Sequence, residues 1–236
     1  MTQKKLTLSR CLLIVLAMVL TTGFPAGLIA AEPTDFATAT RAPRRPGPSK
    51  TITDKSLAEL KSKVEQLWDG ILFEENGKRI DYVVTLHTEA GDIEIEMWPD
   101  VAPNHCRSFL ALGRVGYYDG LSFHRVIPGF MIQGGCSQDT GGGGPGYELK
   151  AEFNDRLHTR GVLSMARARD PNSAGSQFFV CVDRAANLDE KYTAFGKVTQ
   201  GMEAADLIVN ARRNSNDRPD KPVKIKSVTV AIKAAP

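Results

Sequence analysis

Two hydrophobic periods run along this chain, and the change from one to the other divides it. From Ser56 to Trp68 the apolar positions are Leu57, Leu60, Val64, Leu67 and Trp68, spaced three and four apart. That spacing predicts an amphipathic helix. Thr53 or Asp54 can cap its start, and Gly70 ends it. The preferred reading is a helix packed on the flank of the following domain; a dimerisation or docking element is the other. From about Asp81 the period drops to two. Tyr82–Leu86 and Ile93–Met97 alternate around Glu89–Asp92, which predicts a hairpin with Ile93, Ile95 and Met97 facing a core and Glu94 and Glu96 facing water. Pro103–Leu112 reads as a helix, with proline in its first turn and Gly113 past its end. Further strands are expected over Leu121–Ile127, Phe130–Gln133, Gly161–Met165, Ser176–Val182, Tyr192–Val198 and Val223–Ile232, and a helix over Met202–Asn210. Many short strands with two short helices predict a mainly β protein, a closed antiparallel barrel, because closure removes exposed strand edges.

Charge alters the picture at the N-terminus. The chain has 236 residues, with 30 Lys/Arg and 27 Asp/Glu. Residues 1–50 hold seven of the basic groups (Lys4, Lys5, Arg10, Arg41, Arg44, Arg45, Lys50) and two acids (Glu32, Asp35), leaving 23 basic against 25 acidic groups beyond them. The body therefore lacks the positive field that drives sequence-independent nucleic-acid binding. Lys4, Lys5 and Arg10 precede an apolar run from Cys11 to Leu20, and small residues follow to Ala31. This is the pattern of an export signal cleaved near Ala30 or Ala31. The alternative is an uncleaved membrane anchor, since Cys11–Ala31 is just long enough to span a bilayer; Gly23, Pro25 and Gly27 argue against it. Residues 1–31 are thus read as signal peptide or anchor, 32–50, with Pro33, Pro43, Pro46 and Pro48, as a Pro-rich linker, 51–77 as a helical extension, and 78–236 as the functional domain. The expected location is outside the cytoplasm, in a periplasm or cell envelope.

Beyond the signal, Cys106, Cys136 and Cys181 are an odd number with no CxxC pair. They read as buried small apolar residues, with one disulfide left open as an alternative. The run Gly141–Gly146 lacks a following Lys-Ser/Thr and reads as a surface loop rather than a phosphate cradle.

The candidate chemistry lies in FHRVIPGFMIQGG, Phe123–Gly135, which places Arg125 on an apolar strand before a Pro-Gly turn. Burying an unpartnered charge costs several kcal/mol, so Arg125 is either paired or held at the edge of an apolar surface for use. His124, its neighbour, is expected on the opposite face with a structural role. Ser164 and Ser176 lie in no G-x-S-x-G context, and His87, His105, His124 and His158 show no metal-ligand spacing.

Phe123–Gly135, followed by GVLSMARARDPNSAGSQFFV (Gly161–Val180) and LDEKYTAFGKV (Leu188–Val198), resembles the cyclophilin-type peptidyl-prolyl cis/trans isomerases over about residues 80–233. The resemblance implies an eight-stranded antiparallel β-barrel closed by two helices, and isomerisation of X-Pro bonds with no cofactor and no metal. It implies Arg125 as the donor to the twisted imide and Gln133 as its orienting partner or a substrate-backbone contact. Phe130, Met131, Phe179, Leu188 and Tyr192 would line the proline pocket, and Ala166, Arg167 and Gln177 the adjoining groove. Partners are proline-containing peptides and client proteins, with a membrane only if the N-terminus is uncleaved. Three positions depart from the family pattern. Asn187 stands where many members have Trp, Tyr192 where many have His, and Cys136 where an acidic residue is usual. Loss of the indole N–H implies weak cyclosporin binding. A proline-peptide binding module or chaperone with little turnover is the alternative function.

Overall fold

The computed structural model describes residues 54–233. The segments read as export signal or anchor (1–31) and linker (32–50), and the cap candidate Thr53, lie outside the described residues. Helix α1 (Asp54–Trp68) buries Leu60 and Val64 and lays Leu57, Leu67 and Trp68 partly buried against the same core. It packs beside helix α2 (Pro103–Arg114). The Gly70 amide donates to the Leu67 carbonyl at 3.2 Å as the helix unwinds. A small hairpin follows, β1 (Glu74–Glu75) and β2 (Lys78–Arg79).

The remaining strands form one eight-stranded antiparallel sheet. They are β3 (Tyr82–Thr88), β4 (Gly91–Met97), β5 (Arg125–Ile127), β6 (Met131–Gly134), β7 (Val162–Met165), β8 (Phe178–Cys181), β9 (Ala194–Gln200) and β10 (Ile225–Ile232), in the spatial order β10-β3-β4-β9-β7-β8-β6-β5. Helix α3 (Met202–Val209) sits between β9 and β10 in sequence. The end strands β5 and β10 do not pair with each other. One bridge, Ser122 to Lys224, joins the residues leading into them. This is why β5 begins at Arg125 rather than at Leu121, where the sequence places it. Residues 121–123 are extended but bond towards β10: the Phe123 amide donates to Val223 O at 3.0 Å and the Ile225 amide to Leu121 O at 2.8 Å. The sheet is curled and mainly antiparallel as expected, while full closure is not formed by a strand ladder.

The hairpin alternation holds. Ile93, Ile95 and Met97 are buried while Glu94 and Glu96 are not. Phe109 of α2 meets Tyr118, Phe178 and Phe195 with ring centroids 5.0, 5.3 and 5.4 Å apart. These tilted and edge-on contacts lock α2 to the inner face of the sheet. The first turn of α2 has no side-chain cap from Ala102, its own N-cap. Glu152 caps it from a distant loop instead. Its Oε1 accepts from the Asn104 amide at 3.1 Å, and its Oε2 from the His105 amide at 3.0 Å and from His105 Nδ1 at 2.6 Å. A carboxylate at a helix N-terminus satisfies orphan amides and meets the favourable end of the dipole. Burial opposes the charge, but those bonds outweigh it and hold the Glu152 carboxyl below its usual range.

Because Phe109 is fully buried where helix and sheet meet, Phe109→Ala is expected to destabilise the fold by about 3–5 kcal/mol. Urea unfolding followed by circular dichroism measures this. A loss below about 1 kcal/mol would contradict the packing described.

Candidate active site

Strand register builds the site. Arg125 of β5 lies opposite Gln133 of β6, Gln133 opposite Phe179 of β8, and Phe179 opposite Ser164 of β7. Cross-strand partners project from the same face, so these four form one row across the sheet. Phe178, adjacent to Phe179, points into the main core, and Phe179 points away from it. On that second face Met131, Phe179, Cys181, Ala185 and Leu188 form a separate buried apolar cluster, with Ile127, Phe130, Ala166 and Tyr192 packed partly buried against it. The turn between β5 and β6 presents Phe130. Pro128 sets the turn, Gly129 adopts φ 70°, and the Phe130 amide donates to Ile127 O at 3.0 Å. All five residues read from the sequence as a proline pocket therefore meet in one place, and Ala166 joins them.

Phe179 is held from behind. His158 stacks on it at 6.2 Å with planes 20° apart, and Tyr192 meets it edge-on at 6.0 Å. His158 Nε2 lies 2.9 Å from Ser164 Oγ, and its Nδ1 lies 3.3 Å from Asp189 Oδ1. This Ser–His–Asp geometry resembles a nucleophilic triad, but Ser164 and His158 are both fully buried. Ser164 Oγ also lies 2.9 Å from the Thr193 carbonyl. No substrate carbonyl can reach that hydroxyl, so the trio is scaffolding for Phe179. Burial lowers the His158 pKa against the pull of Asp189. Bonds from the Arg184 guanidinium and the His158 amide hold the Asp189 carboxyl down at about 2.

Arg125 stands at the edge of this surface with its side chain 45% exposed. Its Nε is 3.8 Å from Asp217 Oδ2, too long for a hydrogen bond, and the other oxygen of Asp217 faces Arg213 Nε at 3.6 Å. An exposed pair of this length fixes the guanidinium only weakly. His124 is buried where Arg125 is exposed, in keeping with the structural role expected for it, although it does not turn away from the Arg125 pocket. It precedes β5, so strand alternation does not govern it, and it lines the same pocket as Arg125, Gln133 and Gly141. It is buried, and neither ring nitrogen has a hydrogen-bond partner among the described residues. Burial lowers its pKa as well.

The polar rim departs from expectation in two ways. Gln133 Nε2 donates to Gln177 Oε1 at 3.1 Å, which ties its amide to the groove side of the site. Gln177 Nε2 in turn donates to the carbonyls of Gly141 and Gly143 at 2.7 and 2.8 Å. The amides of those two glycines both lie 3.2 Å from Cys136 Sγ. The glycine run is thus pinned from both sides and forms a wall of the groove, not a loose surface loop. Gly143 is required sterically: a Cβ there would stand 2.7 Å from the Gln138 amide nitrogen. The sequence signal was present in Cys136 and Gln177, but the pairing is long-range. Arg167 lines the groove, yet its guanidinium sits 4.5 Å over the Tyr192 ring and donates to the carbonyls of Ala168 and Lys191 at 3.0 and 3.1 Å. Its charge is engaged in holding Tyr192. Cys106, Cys136 and Cys181 are free, buried thiols. No group of three or more His, Cys, Asp or Glu gathers as metal ligands among the described residues.

A family model described as "Cyclophilin type peptidyl-prolyl cis-trans isomerase/CLD" matches residues 83–230. A peptidyl-prolyl cis-trans isomerase of Synechococcus elongatus is 46% identical over 146 residues, covering 62% of this chain and 96% of the relative. Peptidyl-prolyl cis-trans isomerase B of Bacillus subtilis is 47% identical over 124 residues, covering 52% and 86%. Among solved structures, a cyclophilin-type isomerase of Cryptosporidium parvum aligns with a TM-score of 0.61 at 34% identity, covering 66% of this chain and 99% of that one. The same protein in the presence of the dipeptide Ala-Pro aligns equally well.

The titration shifts at this site have a stability signature. Buried His158 and His124 have pKa values below the ordinary histidine value. The unfolded chain therefore takes up protons below about pH 6.5 that the folded chain refuses, and stability falls there as pH falls. Asp189, at about 2 when folded, adds a further loss between about pH 4 and 2. Urea midpoints at pH 7.5, 5.5 and 3 are expected to decline in that order. Equal midpoints at pH 7.5 and 5.5 would contradict the neutral, buried state of both imidazoles.

Proposed function

This chain belongs to the cyclophilin-type peptidyl-prolyl cis-trans isomerases, and from that premise we propose that it turns X-Pro bonds of exported proteins by holding proline on the second apolar cluster while Arg125 stabilises the half-rotated imide. Rotation about the bond breaks amide resonance and meets a barrier of about 18–20 kcal/mol. Turnover of about 10–10³ per second corresponds to about 13–16 kcal/mol, so the site must lower the barrier by roughly 2–7 kcal/mol. In the twisted state the proline nitrogen regains its lone pair and accepts a hydrogen bond that neither planar form can accept. A cationic donor aimed there stabilises the transition state alone. Bond rotation needs no nucleophile and no proton transfer.

The observation that carries this reading is the row Arg125–Gln133–Phe179, which sets a half-exposed guanidinium beside the rim of an apolar cluster. Phe130, Met131, Leu188 and Tyr192 would grip the ring. Gln133 and Gln177 would present the groove to the peptide backbone. An Ala-Pro dipeptide accompanies the related Cryptosporidium structure, which favours the same class of ligand here. Lys4, Lys5, Arg10 and the apolar run after them support export to a periplasm or envelope, and the sheet reads as a barrel closed at the Ser122–Lys224 bridge.

Arg125→Ala is expected to keep the fold and lose about 10²–10³-fold in kcat/KM, the usual loss for one transition-state donor. Exchange between cis and trans peaks of a proline peptide measures it by nuclear magnetic resonance. Near-wild-type exchange would reject the mechanism, and binding without exchange by the wild type would favour a peptide-binding module instead.

Asn187 is exposed in the short 3-10 turn Ala186–Leu188 at the pocket edge, where an indole could cover bound ligand. Weak cyclosporin binding follows, and Asn187→Trp is expected to tighten it by about tenfold or more through added aromatic contact and an N–H donor. Calorimetric titration checks this; unchanged affinity would remove position 187 from the explanation.

A further inference from the structure

The N-terminal helix α1 reaches the groove. Leu60 and Val64 anchor it in the main core, and Leu57, one turn earlier on the same stripe, lines the cleft bounded by Gln133, the glycine run, Ala166 and Gln177. Its Cγ and Cδ2 lie 3.6 Å from where a Cβ on Gly146 would stand, so the side chain abuts the end of the pinned glycine loop. The cleft holds about 640 Å³, room for a substrate side chain beyond the proline ring. It is continuous with the site, because Gln133 lines both this cleft and the pocket of Arg125, and Ala166 packs on the second apolar cluster. Pro145 and Tyr147 also face it, and the remaining lining residues are glycine, alanine, serine, glutamine or charged. Leu57 is the one large aliphatic side chain among the described residues that line it.

The matched family region begins at residue 83, so this wall comes from outside it. We infer that Leu57 is a specificity-determining residue: α1 forms a wall of the peptide groove and selects proline peptides with an apolar side chain at the position that enters the cleft. The inference rests on the isomerase reading of the groove but concerns binding as well as turnover. Gly141–Gly144 offer no side chain with which to tell one peptide from another. An aliphatic wall on Leu57, next to Pro145 and Tyr147, discriminates by side-chain apolarity, and one buried methylene or so distinguishes ligands by about tenfold.

The test uses the full chain and proline tetrapeptides in which one flanking position at a time is leucine or glycine. Dissociation constants come from chemical-shift titration and kcat/KM from cis–trans exchange. The wild type is expected to prefer leucine by about tenfold at one flanking position only. Leu57→Ala should bring that ratio near one and leave the glycine peptide unchanged, while Leu57→Met restores the preference. Should Leu57→Ala fail to fold, Leu57→Gln, close in size and helix-compatible, gives the same readout. An unchanged ratio, or an equal weakening of both peptides, overturns the inference. A wild type that shows the ratio in binding without exchanging cis and trans peaks would sink the isomerase reading and leave the wall standing. Exchange without any ratio would do the reverse.

Discussion

Phe178 and Phe179 must point in opposite directions, and the rest of the site depends on it. Strand β8 is buried on both faces, which is unusual for a strand at one face of a functional groove. Phe178 meets Phe109, Tyr118 and Phe123 edge-on in the main core, and Phe179 anchors the outer cluster. A slip of one residue would exchange the two faces and put Gln177 or Val180 into one of the two phenylalanine sites, at a cost of about 1.5–3 kcal/mol in lost aromatic burial. Ladders to β6 and β7 hold the register on both sides. The same register brings Gln133 and Arg125 into line, so core packing and site geometry are set by one choice.

Placing a cation beside an apolar surface is the second constraint. A guanidinium inside the cluster would suffer desolvation that one partner rarely offsets. The fold avoids this by placing Arg125 on β5, a three-residue strand at the end of the sheet, where the side chain stays half in water. Asp217 steadies it from a distance while also facing Arg213. Ser164, His158 and Asp189 make the converse point. Their spacing suits nucleophilic catalysis, yet the serine and histidine are sealed from solvent. Access, and not spacing, decides which polar cluster can act.

Much of this was legible in sequence wherever information is local. Alternation placed Ile93, Ile95 and Met97 inward, and the FHRVIPGFMIQGG run marked β5, its turn and β6 within a few residues. The resemblance groups Phe130, Met131, Phe179, Leu188 and Tyr192, and these five meet in one apolar cluster. What was not legible is long-range. The glycine run reads as loose because its anchors, Gln177 and Cys136, are recognisable only once β8 has folded back beside it. The face of His124 is not legible from alternation because β5 starts at Arg125, four residues later than the apolar pattern from Leu121 suggests. Residues 121–123 bond towards β10 instead. The Asn76–Gly77 turn of the small hairpin, both residues at positive φ, is a local signal that could have been read.

The titratable groups with shifted pKa values are a further consequence of this division. His158 and Asp189 serve to fix Phe179, and His124 is buried beside the glycine run. None is asked to move a proton in the proposed chemistry, so acid should weaken the scaffold before it alters the rotation step. The same logic favours a helix as the source of a groove wall. A loop carrying Leu57 would have to be ordered each time peptide binds, at about 1–2 kcal/mol per residue fixed. In α1 that ordering is already met by Leu60 and Val64 in the core. An apolar contact mounted on such an element is spent on discrimination between peptides rather than on organising the protein.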